Sequence, residues 1–257
     1  MRQASTSKDT FDRVGALHLP GFFRQEEIDW YSEHFASTLD RGAVSPIWKN
    51  EFGFRRQALP FFEHAGDSYH GLATHKVLHE TMRDLLDADA TFTSAEGIDH
   101  SMNTIWHYDG APPESEVEAY AKAIIFLDPV GPLTGSISVL AGSHRDGARE
   151  IFDTNPAAYL ALGPTSDGVV SYTINPGDLL VLNVKTLHAV FARNNRRRAI
   201  YMNFVNQEVL RRSKARVGAE DKAAMIGRML HEIEDMVIKI SDTALETNER
   251  RYWTLAA

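Results

Sequence analysis

The sequence contains no cysteine. Disulfides, thiolate nucleophiles, iron–sulfur clusters and cysteine-based zinc sites are therefore excluded, and any metal must be held by histidine, aspartate or glutamate. No apolar run approaches the ~18 residues that a membrane-spanning helix needs. The opening stretch MRQASTSKDTFDRVG has no apolar segment of the kind a secretory signal carries. A cytoplasmic protein with no membrane partner is the expectation. Positive charge is in deficit, with 27 Lys and Arg against 35 Asp and Glu and a formal net charge of −8. Nucleic acid would repel such a protein as a whole, so no nucleic-acid partner is expected. Internal repeats, low-complexity tracts and Pro/Gly/Ser-rich linkers are also missing, so nothing divides the chain. The 257 residues, 43% hydrophobic and 24% charged, read as a single domain with ample apolar material for a core.

Within that domain, residues about 1–90 read as mixed, with helices prominent. GALHL (15–19) is a strand candidate closed by Pro20-Gly21. Ile28, Tyr31, Phe35 and Leu39 recur at helical spacing and predict an amphipathic helix from Gln25 to about Leu39. A second helix starts at Thr74 as N-cap and carries Val77, Leu78, Met82, Leu85 and Leu86 on one side. Residues 42–70, rich in Gly, Pro, aromatics and Arg, read as a long loop and as a lid. In it Trp48, Phe52, Phe54, Phe61 and Phe62 form an apolar wall, and Arg55 and Arg56 suit an anionic group of a small-molecule substrate. From about 91 to 206 the texture changes to short apolar runs between turn residues: TFTSAEGI, SMNTIWHYD, AKAIIFLD, SISVLAG, VSYTI, DLLVLNV, HAVFA and RAIYMNF. Such punctuation predicts a β-sandwich or barrel and not a parallel α/β sheet. Ile226, Met229, Leu230, Ile233, Val237 and Ile240 then form one stripe of a C-terminal helix over about 219–241.

The chemistry-bearing pattern is TIWHYDG (104–110), followed some eighty residues later by KTLHAV (185–190). In an extended strand residues two apart share a face, so His107 and Asp109 project together. A third ligand from a distant strand, His188, completes a 2-His-1-carboxylate triad and leaves metal positions open for other ligands. Arg198 opens RAIYMNF and shares an alternation row with Ile200, Met202 and Phe204, an apolar row expected to look inward. An inward arginine needs an anion, and its fork suits a carboxylate. Arg193, Arg196 and Arg197 read as a solvated basic turn. Asn103 shares the face of His107 and Asp109, and Lys122 begins the strand AKAIIFLD; either is a candidate to touch a cosubstrate carboxylate or the substrate. His75 and His79, at i and i+4, have zinc-compatible spacing but lack the glutamate of a metalloprotease motif.

From Trp106 to Phe204 the sequence resembles the phytanoyl-CoA dioxygenase-like branch of the iron(II)/2-oxoglutarate oxygenases. The resemblance rests on four ordered motifs: WHYDG, FLDPVGPLTGSISVLAGSH (126–144), NPGDLLVLNVKTLHAV and RRRAIYMNF. It implies a mainly β fold with flanking helices, built on a double-stranded β-helix of the jelly-roll, cupin-like kind. It implies Fe(II) held by His107, Asp109 and His188, with 2-oxoglutarate and O2 as cosubstrates and Arg198 as the 2-oxoglutarate anchor. The reaction it implies is hydroxylation of a small organic substrate with release of succinate and CO2. Related halogenases have a small residue where Asp109 stands, which favours hydroxylation here. One departure is Val190, where a small hydroxyl residue is often found. The alternatives are a cupin-like metalloenzyme that works without 2-oxoglutarate, with no use for an inward Arg198, and a non-catalytic barrel that serves as a binding module.

Overall fold

The computed structural model describes residues 2–40, 48–49, 55–60, 70–87, 89–101, 103–109, 120–145, 147–193 and 195–208. The expected C-terminal helix at about 219–241 and most of the expected lid lie outside the described residues. The chain begins with α1 (Arg2–Val14) and β1 (Ala16–Leu19), followed by α2 (Gln25–Asp40). After β2 (Trp48–Lys49) and β3 (Arg55–Pro60) come α3 (His70–Ala73) and α4 (Lys76–Leu85). The β core then runs through β4 (Ala90–His100), β5 (Thr104–His107), β6 (Tyr120–Phe126) and β7 (Ile137–Leu140). α5 (Ala148–Thr154) and a 3₁₀ turn (Pro156–Tyr159) precede β8 (Val169–Ser171), β9 (Leu179–Asn183), β10 (His188–Val190) and β11 (Arg197–Asn206). Each of the apolar runs from TFTSAEGI to RAIYMNF thus contains a strand.

The helix starts follow from local chemistry. Glu26 and Glu27 sit in the first turn of α2, where the helix dipole favours negative charge. Glu27 also reaches back to accept the Arg24 N–H at 2.9 Å, half of a capping box. At α4 the N-cap is His75 and not Thr74. The His75 ring Nδ1 accepts the Leu78 N–H at 3.1 Å, doing what a threonine hydroxyl was expected to do one residue earlier. That bond takes one ring nitrogen of His75, which argues against the zinc-like reading of the His75/His79 pair. The reading of residues 42–70 as one loop is also corrected. β3 pairs antiparallel with β4 from Arg56↔His100 to Pro60↔Glu96, and β2 pairs with β3. Arg55 and Arg56 are therefore strand residues by backbone, while their side chains lie outside the described ones.

Two antiparallel sheets face each other. The larger has the order β1-β9-β6-β11-β4-β3-β2 and the smaller β5-β10-β7-β8. Both faces of the larger sheet are covered. On its outer face Ile125, Val181, Ile200, Met202 and Phe204 pack against Phe11, Ile28, Phe35, Leu78 and Met82 of α1, α2 and α4. On its inner face Ile124, Phe126, Leu180, Leu182 and Ala199 meet Ile137, Val139 and Val190 of the smaller sheet. Fully burying one such side chain contributes about 1.5–3 kcal/mol. The back of the smaller sheet, with Trp106, Tyr108, Leu187 and Ala189, is closed by Phe152, Tyr159 and Leu162. This is the double-stranded β-helix, with helices over one sheet.

Candidate metal centre

The residues of TIWHYDG alternate between two destinations. Trp106 and Tyr108 turn into the cluster behind the smaller sheet, where the Trp106 Nε1–H donates to the Leu162 carbonyl at 2.9 Å. Their anchoring turns His107 and Asp109 the other way, toward the space between the sheets. Within the β5–β10 ladder His107 lies directly opposite His188, and the two imidazole centroids are 4.2 Å apart. A register shift between His188 and Val190 bends β10 at this point, as bulges beside functional sites commonly do. Among the described residues His107, Asp109 and His188 are the only trio of potential metal ligands brought together, each offering one donor atom within 4.8 Å of the others.

The hydrogen bonds set the chemistry of this trio. His107 Nδ1 lies 2.7 Å from the Ile105 carbonyl and His188 Nδ1 lies 2.8 Å from the Thr186 carbonyl. A carbonyl only accepts, so each Nδ1 carries the proton and each Nε2 keeps its lone pair for a ligand. This is the arrangement in which metal-binding histidines are normally oriented. His188 Nε2 stands 3.8 Å from Asp109 Oδ1. Metal–ligand bonds of about 2.1 Å put facing donor atoms roughly 3–4 Å apart, so the residues fit a divalent cation. Burial, helped by the field of His107, pushes the His188 pKa down to about 4. Burial alone would raise the Asp109 carboxyl, but the charge of Lys122 and the nearby His188 and His107 outweigh it and hold the group well below the usual carboxylate range. At neutral pH His188 is neutral and Asp109 ionised, the protonation states a metal requires.

Lys122 reaches the site from β6 in the opposite sheet. Its Nζ donates to Asp109 Oδ2 at 2.6 Å and lies 5.8 Å from the centre of the Tyr201 ring. Burial would lower its pKa, yet the Asp109 carboxylate more than compensates and the pKa is raised. Tyr201 in turn contacts His100, its hydroxyl 3.5 Å from His100 Nε2, and His100 is the ladder partner of Arg197. Lys122, Tyr201, His100 and Arg197 thus lie along one inner face.

Two expectations are corrected by this arrangement. Arg198 belongs to the outer row with Ile200, Met202 and Phe204, and that row packs against helices. Its guanidinium holds Asp128, Nη2 to Oδ1 at 2.7 Å and Nε to Oδ2 at 3.1 Å, and its backbone N–H donates to Oδ2 at 2.7 Å. The inward arginine is its neighbour Arg197, expected to be solvated but 0% exposed. Gly135, at φ +111°, leaves it room: a Cβ there would stand 2.4 Å from Arg197 Cδ. Burial pushes the Arg197 guanidinium down to about 10, so it stays charged at neutral pH. The Asn103 side-chain oxygen accepts the Ala192 N–H at 2.6 Å, a bond between the residue before β5 and the segment after β10. Tyr201 and His100 were missed in the sequence. The signal for Tyr201 is the alternation row Arg197, Ala199, Tyr201 and Asn203, whose polar content suits a pocket better than the more apolar row beside it.

A model of the phytanoyl-CoA dioxygenase (PhyH) family matches residues 11–200. The chain belongs to that family. Its enzymes use Fe(II), 2-oxoglutarate and O2, which makes this chain an iron/2-oxoglutarate oxygenase-type enzyme. No curated protein matches the sequence. Among solved structures, the non-haem α-ketoglutarate-dependent epimerase SnoN of nogalamycin biosynthesis superposes with a TM-score of 0.64 at 18% identity, over 80% of this chain and 81% of SnoN. The carbocyclase SnoK from the same biosynthesis gives 0.61 at 18% identity, over 78% and 83% of the two chains. HygX from Streptomyces hygroscopicus, with nickel and 2-oxoglutarate bound, gives 0.62 at 16% identity, over 78% and 86%. At these identities the likeness shows the fold, the jelly-roll core expected for the family. No helix among the described residues is long and apolar enough to cross a membrane.

Proposed function

We propose that this chain is an Fe(II)- and 2-oxoglutarate-dependent dioxygenase that hydroxylates a small organic molecule, with His107, Asp109 and His188 as the iron ligands. The observation that carries the reading is the convergence of these three side chains with both Nδ1 atoms committed to backbone carbonyls. Arg197 takes the role that the sequence reading assigned to Arg198, that of pairing with the distal carboxylate of 2-oxoglutarate. Its support is a fully buried guanidinium on the same inner face as Lys122, whose planar fork suits a carboxylate. Iron held by His107, Asp109 and His188 would supply the redox chemistry that divides O2 between succinate, formed with CO2 from 2-oxoglutarate, and the substrate.

The chain's own residues prepare that chemistry. Each of the two histidines presents an Nε2 lone pair and Asp109 supplies one negative charge. Hydroxylation is favoured over halogenation because Asp109 fills the coordination position a halide would need. SnoN has been crystallised with nogalamycin RO and HygX with hygromycin B, which supports a small-molecule substrate here too. Arg55 and Arg56 of β3 remain our candidates for contact with an anionic group on it.

The test is Mn(II) calorimetry on wild type, His107→Ala, Asp109→Ala and His188→Ala, followed by a substrate panel read by succinate release and product mass. Each substitution should abolish metal binding while the thermal melt stays within a few degrees of wild type. Undiminished affinity in all three variants would sink the ligand assignment. A product that gains no oxygen from ¹⁸O₂ would replace hydroxylation by another outcome of the same ligand set.

A further inference from the structure

The three candidate ligands are not held alike. His107 and His188 sit in paired strands, and each ring is fixed by a carbonyl two residues before it in its own chain segment. Asp109 stands past the end of β5, beyond the last ladder pair of that strand at His107. Its carboxylate is instead met from across the barrel by Lys122 at 2.6 Å. Lys122 belongs to β6, a strand flanked on both sides in the larger sheet by β9 and β11. The side chain is only 17% exposed and lies against the Tyr201 ring, so it does not snorkel to solvent as surface lysines do. The two carboxylate oxygens have different neighbours: Oδ2 is taken by the ammonium, and Oδ1 faces His188 Nε2 at 3.8 Å.

We propose that Lys122 is the positioning residue for Asp109, holding Oδ2 so that the carboxylate meets the metal through Oδ1 alone. The inference rests on the metal reading above and adds a role to it. A carboxylate can bind a cation through one oxygen or both. With the second oxygen committed to Lys122, three protein donors occupy three positions of a six-coordinate ion and leave about three for other ligands. Without the lysine, Asp109 is free to bind through both oxygens, and one of those positions is lost. Lys122 thereby does for the carboxylate what Ile105 O and Thr186 O do for the imidazoles.

Mn(II) titration with water-proton relaxation tests this on the full chain without turnover. Lys122→Met keeps most of the side chain's length and removes its charge. Lys122→Gln removes the charge with a polar group retained, and carries the comparison should the methionine variant not fold. Loss of an outer partner typically weakens metal binding 10–100-fold, and that loss is expected here. The number of exchangeable waters on the bound ion should drop from about three in wild type to about two. Affinity within about threefold of wild type with an unchanged water count, or tighter Mn(II) binding, would overturn the inference while leaving the metal reading intact. A wild-type protein that binds no Mn(II) would overturn the metal reading, and this inference with it.

Discussion

Replacing Arg197 by leucine removes a guanidinium from inside the barrel, whereas the same change at Arg198 removes one from the outer face. The two neighbours therefore offer a matched pair. A hydrogen bond to a charged group contributes about 1.5–3 kcal/mol, and a guanidinium meets a carboxylate through two of them. Allowing for non-additivity, Arg197→Leu should cost 2-oxoglutarate binding ~3 kcal/mol, roughly 100-fold. The fold itself should tolerate the change. Arg197 is 0% exposed and burial disfavours its charge, and exchanging a buried charge for an apolar group of similar size is often neutral or stabilising. At Arg198 the pair with Asp128 is partly solvated, with side chains 24% and 30% exposed, so Arg198→Leu should cost no more than about 1 kcal/mol of stability. Asp128 would keep its bond from the backbone N–H of residue 198, and cosubstrate affinity should not move. Calorimetric titration of 2-oxoglutarate into the Mn(II)-loaded proteins, with thermal melts alongside, measures both quantities. Affinity of Arg197→Leu within threefold of wild type, or a large loss in Arg198→Leu instead, would refute the assignment of faces.

Two further outcomes follow from the same geometry. Gly15 has φ +84°, and a Cβ there would stand 2.2 Å from Thr186 Oγ1 and 2.6 Å from His144 Nδ1. Gly15→Ala should therefore destabilise the protein by about 2–4 kcal/mol through backbone strain and overpacking. It should also weaken Mn(II) binding, because Thr186 both bonds the Gly15 carbonyl and orients His188; an unchanged melting temperature would refute this. Acid should destabilise the metal-free protein as well, because His188 titrates at about 4 when folded against 6.5 in the unfolded chain. The unfolded chain takes up a proton between those values and the folded one does not, so stability is fully present above the unfolded pKa. It then falls by ~3 kcal/mol as pH drops through that window, at about 1.4 kcal/mol per pH unit. The lowered pKa of Asp109 acts in the same sense at still lower pH. Urea midpoints of apo-protein from pH 7 to pH 4 measure the slope, and a flat profile would refute it.

The β core was legible because each strand is a short apolar run closed by turn residues, and both signals are local. The pairing of His107 with Asp109 on one face was legible for a related reason: two-residue alternation in an extended segment is geometry that needs no tertiary knowledge. α1 was not read as a helix, since its residues are mostly polar and what holds its end, Phe11 and Val14 buried in two different clusters, is tertiary. β3 was hidden inside an apparent loop because RRQALP has little strand character of its own and is strand by virtue of its ladder with β4. The cap of α4 moved by one residue because an imidazole nitrogen can accept a backbone N–H as a hydroxyl does.

The exchange of Arg198 for Arg197 has a deeper cause. Alternation separates the two faces of a strand but does not say which face looks into the barrel. In a sheet with one wet face the apolar row marks the core, and that rule put Arg198 inside with Ile200, Met202 and Phe204. Here the larger sheet is dry on both sides, with helices behind it and a second sheet in front, so neither row is marked by solvent. What then distinguishes the rows is polar content. A helix-covered face has no use for groups that must find partners, and the row beneath α2 and α4 is accordingly apolar. A face that looks onto a metal and a dianion, as we propose for the inner one, must supply charge and hydrogen bonds. The mixed row of Arg197, Ala199, Tyr201 and Asn203 is the one that can do so, and it pairs along its length with the inner face that carries Lys122. In a doubly covered sheet the less apolar row is thus the better marker of the site.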